Sequence, residues 1–150
     1  MSVTTASGST VSMSIATPAT QDQAGYEALT YTVVGDVISG SALGGTINNA
    51  TYDPLSTKIT QNVLGNKTMD AVTLQLAYNS GDAGQTLLKN VSTVGDASYE
   101  SAVTFKFELP NGEFYYAFGL VTEYKPNLAG ANDLVDAAVT FMPNAEYTVV

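Results

Sequence analysis

The side chains that could do chemistry in this chain are almost all carboxylates. It contains 14 Asp and Glu residues and five Lys, with no His, no Arg and no Cys. Nucleophilic catalysis of the Ser/His/Asp or Cys/His kind is excluded because it needs His or Cys. A glycosidase would need two carboxylates on opposite sides of a cleft, and no sequence pattern marks such a pair.

Two other segments partly match ligand-binding motifs but lack residues that those motifs require. Asp133 and Asp136 could bind Ca²⁺, but "NDLVD" lacks the Asp/Asn/Gly alternation of a calcium loop. "GSALGG" (40–45) is rich in glycine, yet the Lys-Ser/Thr of a phosphate-binding loop does not follow it. We therefore expect a protein that is not an enzyme and uses no cofactor or metal.

The composition indicates one folded domain whose charge disfavours nucleic-acid binding. Hydrophobic residues make up 45% of 150, enough for a core, and the net charge is −9. Proteins that grip nucleic acid need clustered Lys and Arg, whereas DNA could pass an acidic surface without sticking to it. The first residues contain no apolar run long enough for a signal peptide or membrane span, so we expect no membrane association.

Charged residues are scarce, at 13% of the chain where about 25% is typical of soluble domains. Two interpretations remain open. Copies of the same chain could cover the surface, or the surface could be rich in Thr, Ser and Asn, as in many all-β proteins.

Period-two alternation of apolar residues predicts most of the chain to be strands. The predicted strands cover 11–16, 29–38, 57–65, 70–78, 103–109, 114–120 and 134–143. Residues 57–65 and 70–78 are predicted to form a hairpin, and Pro110-Asn111-Gly112 to turn a second, longer one. On that longer hairpin we expect Phe105 and Phe107 to share the core face with Phe114, Tyr116 and Phe118.

Helix-capping patterns predict two helical segments. Asp82 and Gln85 have capping-box spacing before a helix of about three turns over 80–91. Thr20 and Gln23 have the same spacing before a single helical turn.

The order β–β–long loop–β–β–α–β–β–β predicts a mainly β fold, an antiparallel β-sandwich or barrel with one flanking α-helix and a long inter-strand loop. We expect a single domain over 1–150, with a flexible N-terminal arm over 1–10. The loop over 39–56 is rich in Gly, Ser and Asn and too long for a hairpin turn, so we expect it either to have a function or to be disordered.

Two segments resemble the tail tube proteins, or major tail proteins, of long-tailed bacteriophages. One is "TPATQDQAGYEALTYTVVGDV" (17–37), and the other is "GDAGQTLL" after the strand "AVTLQLAY". The element order fits over nearly the whole chain. The matching residues are Pro18, Ala19, Thr20, Ala24, Gly25, Tyr26, Leu29, Asp82, Ala83, Gly84 and Gln85.

The resemblance implies a structural virion protein that forms hexameric rings, which stack into a tail tube through which DNA leaves the capsid. The chain would be made and assembled in the host cytoplasm and would reside in the virion tail. Its partners would be copies of itself and other tail proteins such as the tail terminator, the baseplate or distal tail protein and the tape measure. DNA would pass through the lumen without specific binding.

The resemblance also suggests two sets of functional residues. The long loop would reach from one ring to the next through Ser39, Gly40, Ser41, Ala42, Leu43, Gly44, Gly45, Thr46, Ile47, Asn48 and Asn49. Polar positions that alternate with the predicted core faces would line the lumen: Thr30, Thr32, Asp36, Thr60, Asn62, Thr104, Lys106 and Glu108.

Two alternatives remain open. One is the inner tube of a contractile injection or type VI-like system. The other is a monomeric β-sandwich adhesion or carbohydrate-binding module, although the absence of Trp and of a secretion signal weighs against it.

Overall fold

The computed structural model describes residues 3, 5–128 and 130–150. The chain folds around one large antiparallel β-sheet. Within these described residues, two helices, α1 (Gln23–Glu27) and α2 (Ala83–Val91), accompany ten strands. The strands are β1 (Thr10–Ser14), β2 (Thr32–Val34), β3 (Val37–Gly40), β4 (Gly45–Tyr52), β5 (Gln61–Met69), β6 (Val72–Ala77), β7 (Val103–Glu108), β8 (Phe114–Asn127), β9 (Asp136–Pro143) and β10 (Thr148–Val149).

The large sheet curls back on itself without closing. Its strand order is β2-β1-β7-β8-β9-β6-β3, and β10 pairs with β8 beside this path. The first half of β8 pairs with β7 and the second half with β9. β2 and β3 stand at opposite ends of the order although only Gly35 and Asp36 separate them in the chain. This architecture confirms the predicted mainly β, sandwich-like fold.

The core fills the inside of the curl. Phe105 on β7 faces Phe141 on β9 with 4.3 Å between ring centroids, although β8 lies between these strands in the sheet. Leu88 and Val91 of α2 close one end of the core. The other buried members are Val11, Met13, Val34, Val72, Leu74, Leu76, Val103, Phe107, Ala117, Ala137, Val139 and Tyr147.

On β8 the predicted core face is wrong by one residue. Phe105 pairs with Ala117 and Phe107 with Tyr115, so Ala117 and Tyr115 share the core side with these phenylalanines. Phe114, Tyr116 and Phe118 therefore point to the opposite face, because a slip of one residue exchanges the two faces of a strand.

That opposite face is covered by a second aromatic layer. Tyr26 of α1 is fully buried and stacks on Tyr116 with 5.3 Å between centroids. Tyr31 donates its hydroxyl hydrogen to the Tyr26 carbonyl, and the Lys106 ammonium lies 4.8 Å from the centre of the Phe114 ring. Both faces of β8 are consequently apolar, which is why alternation alone did not fix its register.

The structure corrects the predicted connections around residues 39–70. The segment 39–56, predicted to be one irregular loop, contains β4. β4 pairs with β5 as a separate two-stranded sheet, so the predicted hairpin of 57–65 with 70–78 is wrong. β6 pairs with β3 and β9 instead. The predicted strand 29–38 is broken at Gly35 and Asp36, and Asp36 has a left-handed φ of 59°.

The helices follow the predicted caps in part. Asp82 caps α2 by accepting a hydrogen bond from the Gln85 backbone N–H at 3.0 Å, which confirms that helix start. α1 is capped by Asp22, whereas Thr20 only donates a hydrogen bond to the Asp22 carboxylate at 2.7 Å. Of the predicted N-terminal arm, Thr10 already belongs to β1, and Met1, Ser2 and Thr4 lie outside the described residues.

Candidate assembly surface

The "DAGQ" residues fasten α2 to the junction of β2 and β3. The Asp82 carboxylate accepts a hydrogen bond from the Gly35 N–H at 3.1 Å, in addition to capping the helix. The Gln85 side chain is 2% exposed, and its amide donates to the carbonyls of Gly35 and Ala77 at 3.0 and 2.9 Å. Its oxygen accepts from the Asn79 N–H at 3.0 Å. These groups set the shape of the sheet where its two ends approach.

Two glycines of the resembling motifs permit close backbone contacts. A Cβ on Gly84 would overlap the Val33 carbonyl and lie 2.6 Å from the Val34 Cα, so α2 could not rest against β2. A Cβ on Gly25 would overlap the Thr20 carbonyl. The resemblance therefore rests in part on residues with packing or hydrogen-bonding roles, namely Gly25, Asp82, Gly84 and Gln85.

The β4–β5 hairpin is an exposed arm with apolar side chains on its surface. Most residues of its two strands are exposed to solvent, and Leu55 at its tip is 95% exposed. Ile59 is 66% and Leu64 73% exposed. Apolar side chains concentrated on a projecting arm are typical of protein–protein contact sites.

Polar contacts order both ends of this hairpin. At its base the Lys67 ammonium contacts the Glu146 carboxylate at 2.6 Å, and the Asp70 N–H bonds to the Gly44 carbonyl. At its tip the Thr60 hydroxyl donates to the Asp53 carboxylate at 2.7 Å. Lys58 completes the turn with a φ of 58°, in the left-handed region.

A cleft opens where the curled sheet fails to close, between β1 and β3. We call it the seam cleft, and its volume is about 230 Å³. Glu108 and Leu109 border it at the end of β7, and Gly40 and Ser41 border it before the start of the hairpin. Its apolar lining includes Val11, Val37, Leu43, Val72, Leu74 and Phe107.

Strands β2 and β3 form the outer edges of the large sheet. In the described part of the chain, each pairs with a neighbour on one side only. An unpaired strand edge offers N–H and C=O groups to another chain, and natural proteins either protect such edges or use them for association. The hairpin, the seam cleft and these two edges are thus the surfaces through which the fold could assemble.

The predicted lumen-facing residues do not form one surface. Thr104 is fully buried and donates its hydroxyl hydrogen to the Ala16 carbonyl, so its assignment to a lumen is wrong. Lys106 and Glu108 are half-buried on the face of β7 that the aromatic layer covers. The others lie before β2, in β2, at the β2–β3 junction and on the hairpin: Thr30, Thr32, Asp36, Thr60 and Asn62.

The inter-ring residues predicted over 39–49 fall on three elements. They comprise the end of β3, the connection 41–44, which borders the seam cleft, and the first half of β4. Their inter-ring role stays a prediction, and the predicted residues do not include the hairpin tip, where Leu55 lies in a turn among Asp53, Pro54 and Thr57. An isolated Leu in a polar turn was the available signal.

The titratable groups of the described residues are dispersed over the fold. Within residues 3, 5–128 and 130–150, no three His, Cys, Asp or Glu side chains converge as a metal site would require. The pKa of Asp22 is lowered by hydrogen bonds from Thr20 and Gly25, and burial raises the pKa of Tyr147 to about 12. Neither helix of the described chain has the length and apolar character needed to cross a membrane.

Comparison with known proteins identifies relatives in fold. No family model matches the sequence, and no curated protein matches it. A chain of an extracellular contractile injection system, the PVC sheath/tube terminator in its extended state, is 13% identical with a TM-score of 0.66, covering 100% of this chain and 98% of that one. A chain of the anti-feeding prophage baseplate is 8% identical with a TM-score of 0.66, covering 100% and 97%.

A third neighbour comes from a bacteriophage. A chain of the phage p2 baseplate is 16% identical with a TM-score of 0.55, and the match covers 93% of this chain and 45% of that one. The curled, unclosed sheet with its helix and projecting hairpin is therefore similar in fold to chains of contractile injection systems and of a phage baseplate.

Proposed function

We propose that this chain is a structural subunit of a phage tail or a related injection tube, and that it has no enzymatic activity. The observation that carries the proposal is the agreement in fold over 100% of this chain and 98% of a chain of the injection-system sheath/tube terminator.

In its specific form the proposal is a hexameric ring that stacks into a tail tube for DNA ejection. β2 and β3 are the two different edges of the large sheet, so a contact between the β2 edge of one copy and the β3 edge of the next is heterologous. Such a contact closes into a ring when its rotation permits, and a second contact stacks the rings. The exposed hairpin projects from the domain and is suited to this second contact.

The net charge of −9 suits a channel through which DNA passes. Acidic groups around a narrow bore repel phosphates, so the strand does not adhere to the wall. In the complete tail, a terminator, baseplate or distal tail proteins and a tape measure would be the other partners. The inner tube of an injection system would have the same architecture.

A second candidate function is an end ring of such a tube. Two of the neighbours come from a sheath/tube terminator and a baseplate, and a further one from a tube-terminating cap, matched over 93% of this chain. An end ring would form the same intra-ring contacts but would stop the stacking on one side.

Electron microscopy and sedimentation of the purified chain test these proposals. We expect sixfold rings with a central hole, and stacked tubes as the protein concentration rises. Rings that never stack would favour the end-ring function over the repeating tube. A 15.6 kDa monomer at every concentration would contradict both and would favour a monomeric binding module.

A further inference from the structure

We propose that the tip of the β4–β5 hairpin of one copy, centred on Leu55, inserts into the seam cleft of a neighbouring copy. This inference rests on the proposed self-assembly and identifies the surface that receives the hairpin. The inference has three requirements. The tip must expose apolar side chains, the cleft must be large and apolar enough to bind them, and the tip must be unable to reach the cleft of its own chain.

The donor is the apolar tip. Leu55 is 95% and Ile59 66% exposed, so in a single copy Leu55 is almost fully and Ile59 largely in contact with water. The bond from Thr60 to Asp53 and the left-handed turn at Lys58 order the backbone around them. An ordered tip loses less conformational entropy on docking than a flexible loop would.

The acceptor is the apolar floor of the seam cleft. A dry protein cavity of about 150 Å³ holds a benzene molecule. The seam cleft, at about 230 Å³, is larger and so has room for the four carbons of a Leu side chain. Its lining from Val11, Leu74 and Phe107 has the same chemical character as that side chain.

The hairpin cannot reach the cleft of its own chain. The cleft borders Gly40 and Ser41, at the base of the hairpin, whereas Leu55 lies beyond eight residues of β4. At about 3.4 Å per residue, that strand holds the tip about 27 Å from the base. The contact must therefore be made between copies. Because donor and acceptor are different surfaces, a bound pair still offers one free tip and one free cleft to further copies.

Charge also favours this pairing. Lys58 lies at the tip, and Glu108, of opposite charge, borders the rim of the cleft at the end of β7, with its side chain on the aromatic face of that strand. Copies with a net charge of −9 repel one another, so a local attraction at the docking site helps to orient the approach.

Disulfide trapping tests the contact directly, because the natural chain has no cysteine. A Leu55→Cys preparation is mixed with a Ser39→Cys preparation that has a tag of different mass, so that a mixed dimer can be recognised by its size. The mixture is then mildly oxidised. Ser39 lines the cleft and is exposed. The control replaces Ser39→Cys with Thr86→Cys, on the exposed side of α2. Since a disulfide forms only where the Cα atoms come within about 7 Å, we expect about tenfold more mixed dimer with Ser39→Cys than with the control.

A matched pair of substitutions gives a second test. Leu55→Asp should raise the protein concentration for half-maximal assembly about 10- to 150-fold, as the loss of one buried Leu predicts. The control is Leu128→Asp, since Leu128 is equally exposed, at 95%, on a different loop. It should shift that concentration about twofold at most.

The outcomes separate this inference from the proposed function. Two results would overturn the tip contact while leaving the proposed function intact. In one, rings or tubes form but Ser39→Cys gives no more mixed dimer than Thr86→Cys. In the other, assembly tolerates Leu55→Asp as well as it tolerates Leu128→Asp. A chain that stays monomeric and gives no mixed dimer overturns both.

Discussion

Replacing Gln85 with Met tests whether the buried amide network holds α2 on the sheet. Met has nearly the length of Gln but can neither donate nor accept the three hydrogen bonds. The substitution leaves the carbonyls of Gly35 and Ala77 and the N–H of Asn79 without this partner. Each buried group that loses its partner costs about 1–3 kcal/mol.

We expect the free energy of unfolding to fall by about 3–5 kcal/mol, because Met recovers part of the loss through its own apolar burial. That is a large share of the roughly 5–15 kcal/mol that stabilises a typical domain. Urea unfolding followed by circular dichroism, at concentrations where the protein is monomeric, measures the difference.

Gln75→Met is the matched control, because Gln75 is exposed on β6 and its side chain bonds to Asp136 at the surface. It should change the free energy of unfolding by no more than about 0.5 kcal/mol. If Gln85→Met and Gln75→Met proved equally stable, the buried network would not be what fastens α2 to the β2–β3 junction.

Three further changes address other parts of the fold. Gly84→Ala should lower the melting temperature sharply because its Cβ would overlap the β2 backbone, whereas Gly81→Ala, which has 3.5 Å to its nearest neighbour, should leave the melting curve nearly unchanged. Tyr147 has a buried hydroxyl with no partner among the described residues, so Tyr147→Phe should be neutral or stabilise by about 1 kcal/mol in urea unfolding. Burial raises the pKa of Tyr147 in the folded chain to about 12, above its ordinary value of 10.0. The unfolded chain therefore ionises first, so the free energy of unfolding should fall as the pH rises from 10 to 12, and a pH series on Tyr147→Phe should lack that fall. Replacing residues 46–68 by a short Gly-containing turn should preserve the circular dichroism of the large sheet but abolish stacking in electron micrographs, since the hairpin is a sheet of its own.

Sequence patterns predicted the parts of the fold whose two faces differ. β6 alternates between buried Val72, Leu74 and Leu76 and exposed Thr73 and Gln75, and it was placed correctly. β4 went unpredicted because nearly all of its residues are exposed, so it has no alternation for a periodicity argument to detect. β8 was placed in the wrong register for the opposite reason, since both of its faces are covered.

The candidate surface was predictable only as a region. The Gly- and Asn-rich composition indicated 39–56 as a functional segment, and that assignment stays a prediction, whereas the seam cleft brings together side chains from β1, β3, β6 and β7. Such a site is created by the curvature of the sheet. Thr104 illustrates the same limit, because its position opposite the core predicted exposure, while the chain around Ala16 covers it.

The two docking surfaces also differ in when they can arise during synthesis. The tip of the hairpin pairs Tyr52 with Gln61, whereas the seam cleft needs the pairing of Val11 with Phe107, about 96 residues apart. Hairpins form in about 1–10 μs, but a ribosome adding about 5–20 residues per second needs seconds to extend the chain from β5 to β7. A growing chain therefore displays its tip before it has a cleft. We expect finished copies to be able to capture a nascent one, whereas a nascent copy cannot yet receive another, so translation itself would give the growing assembly a direction.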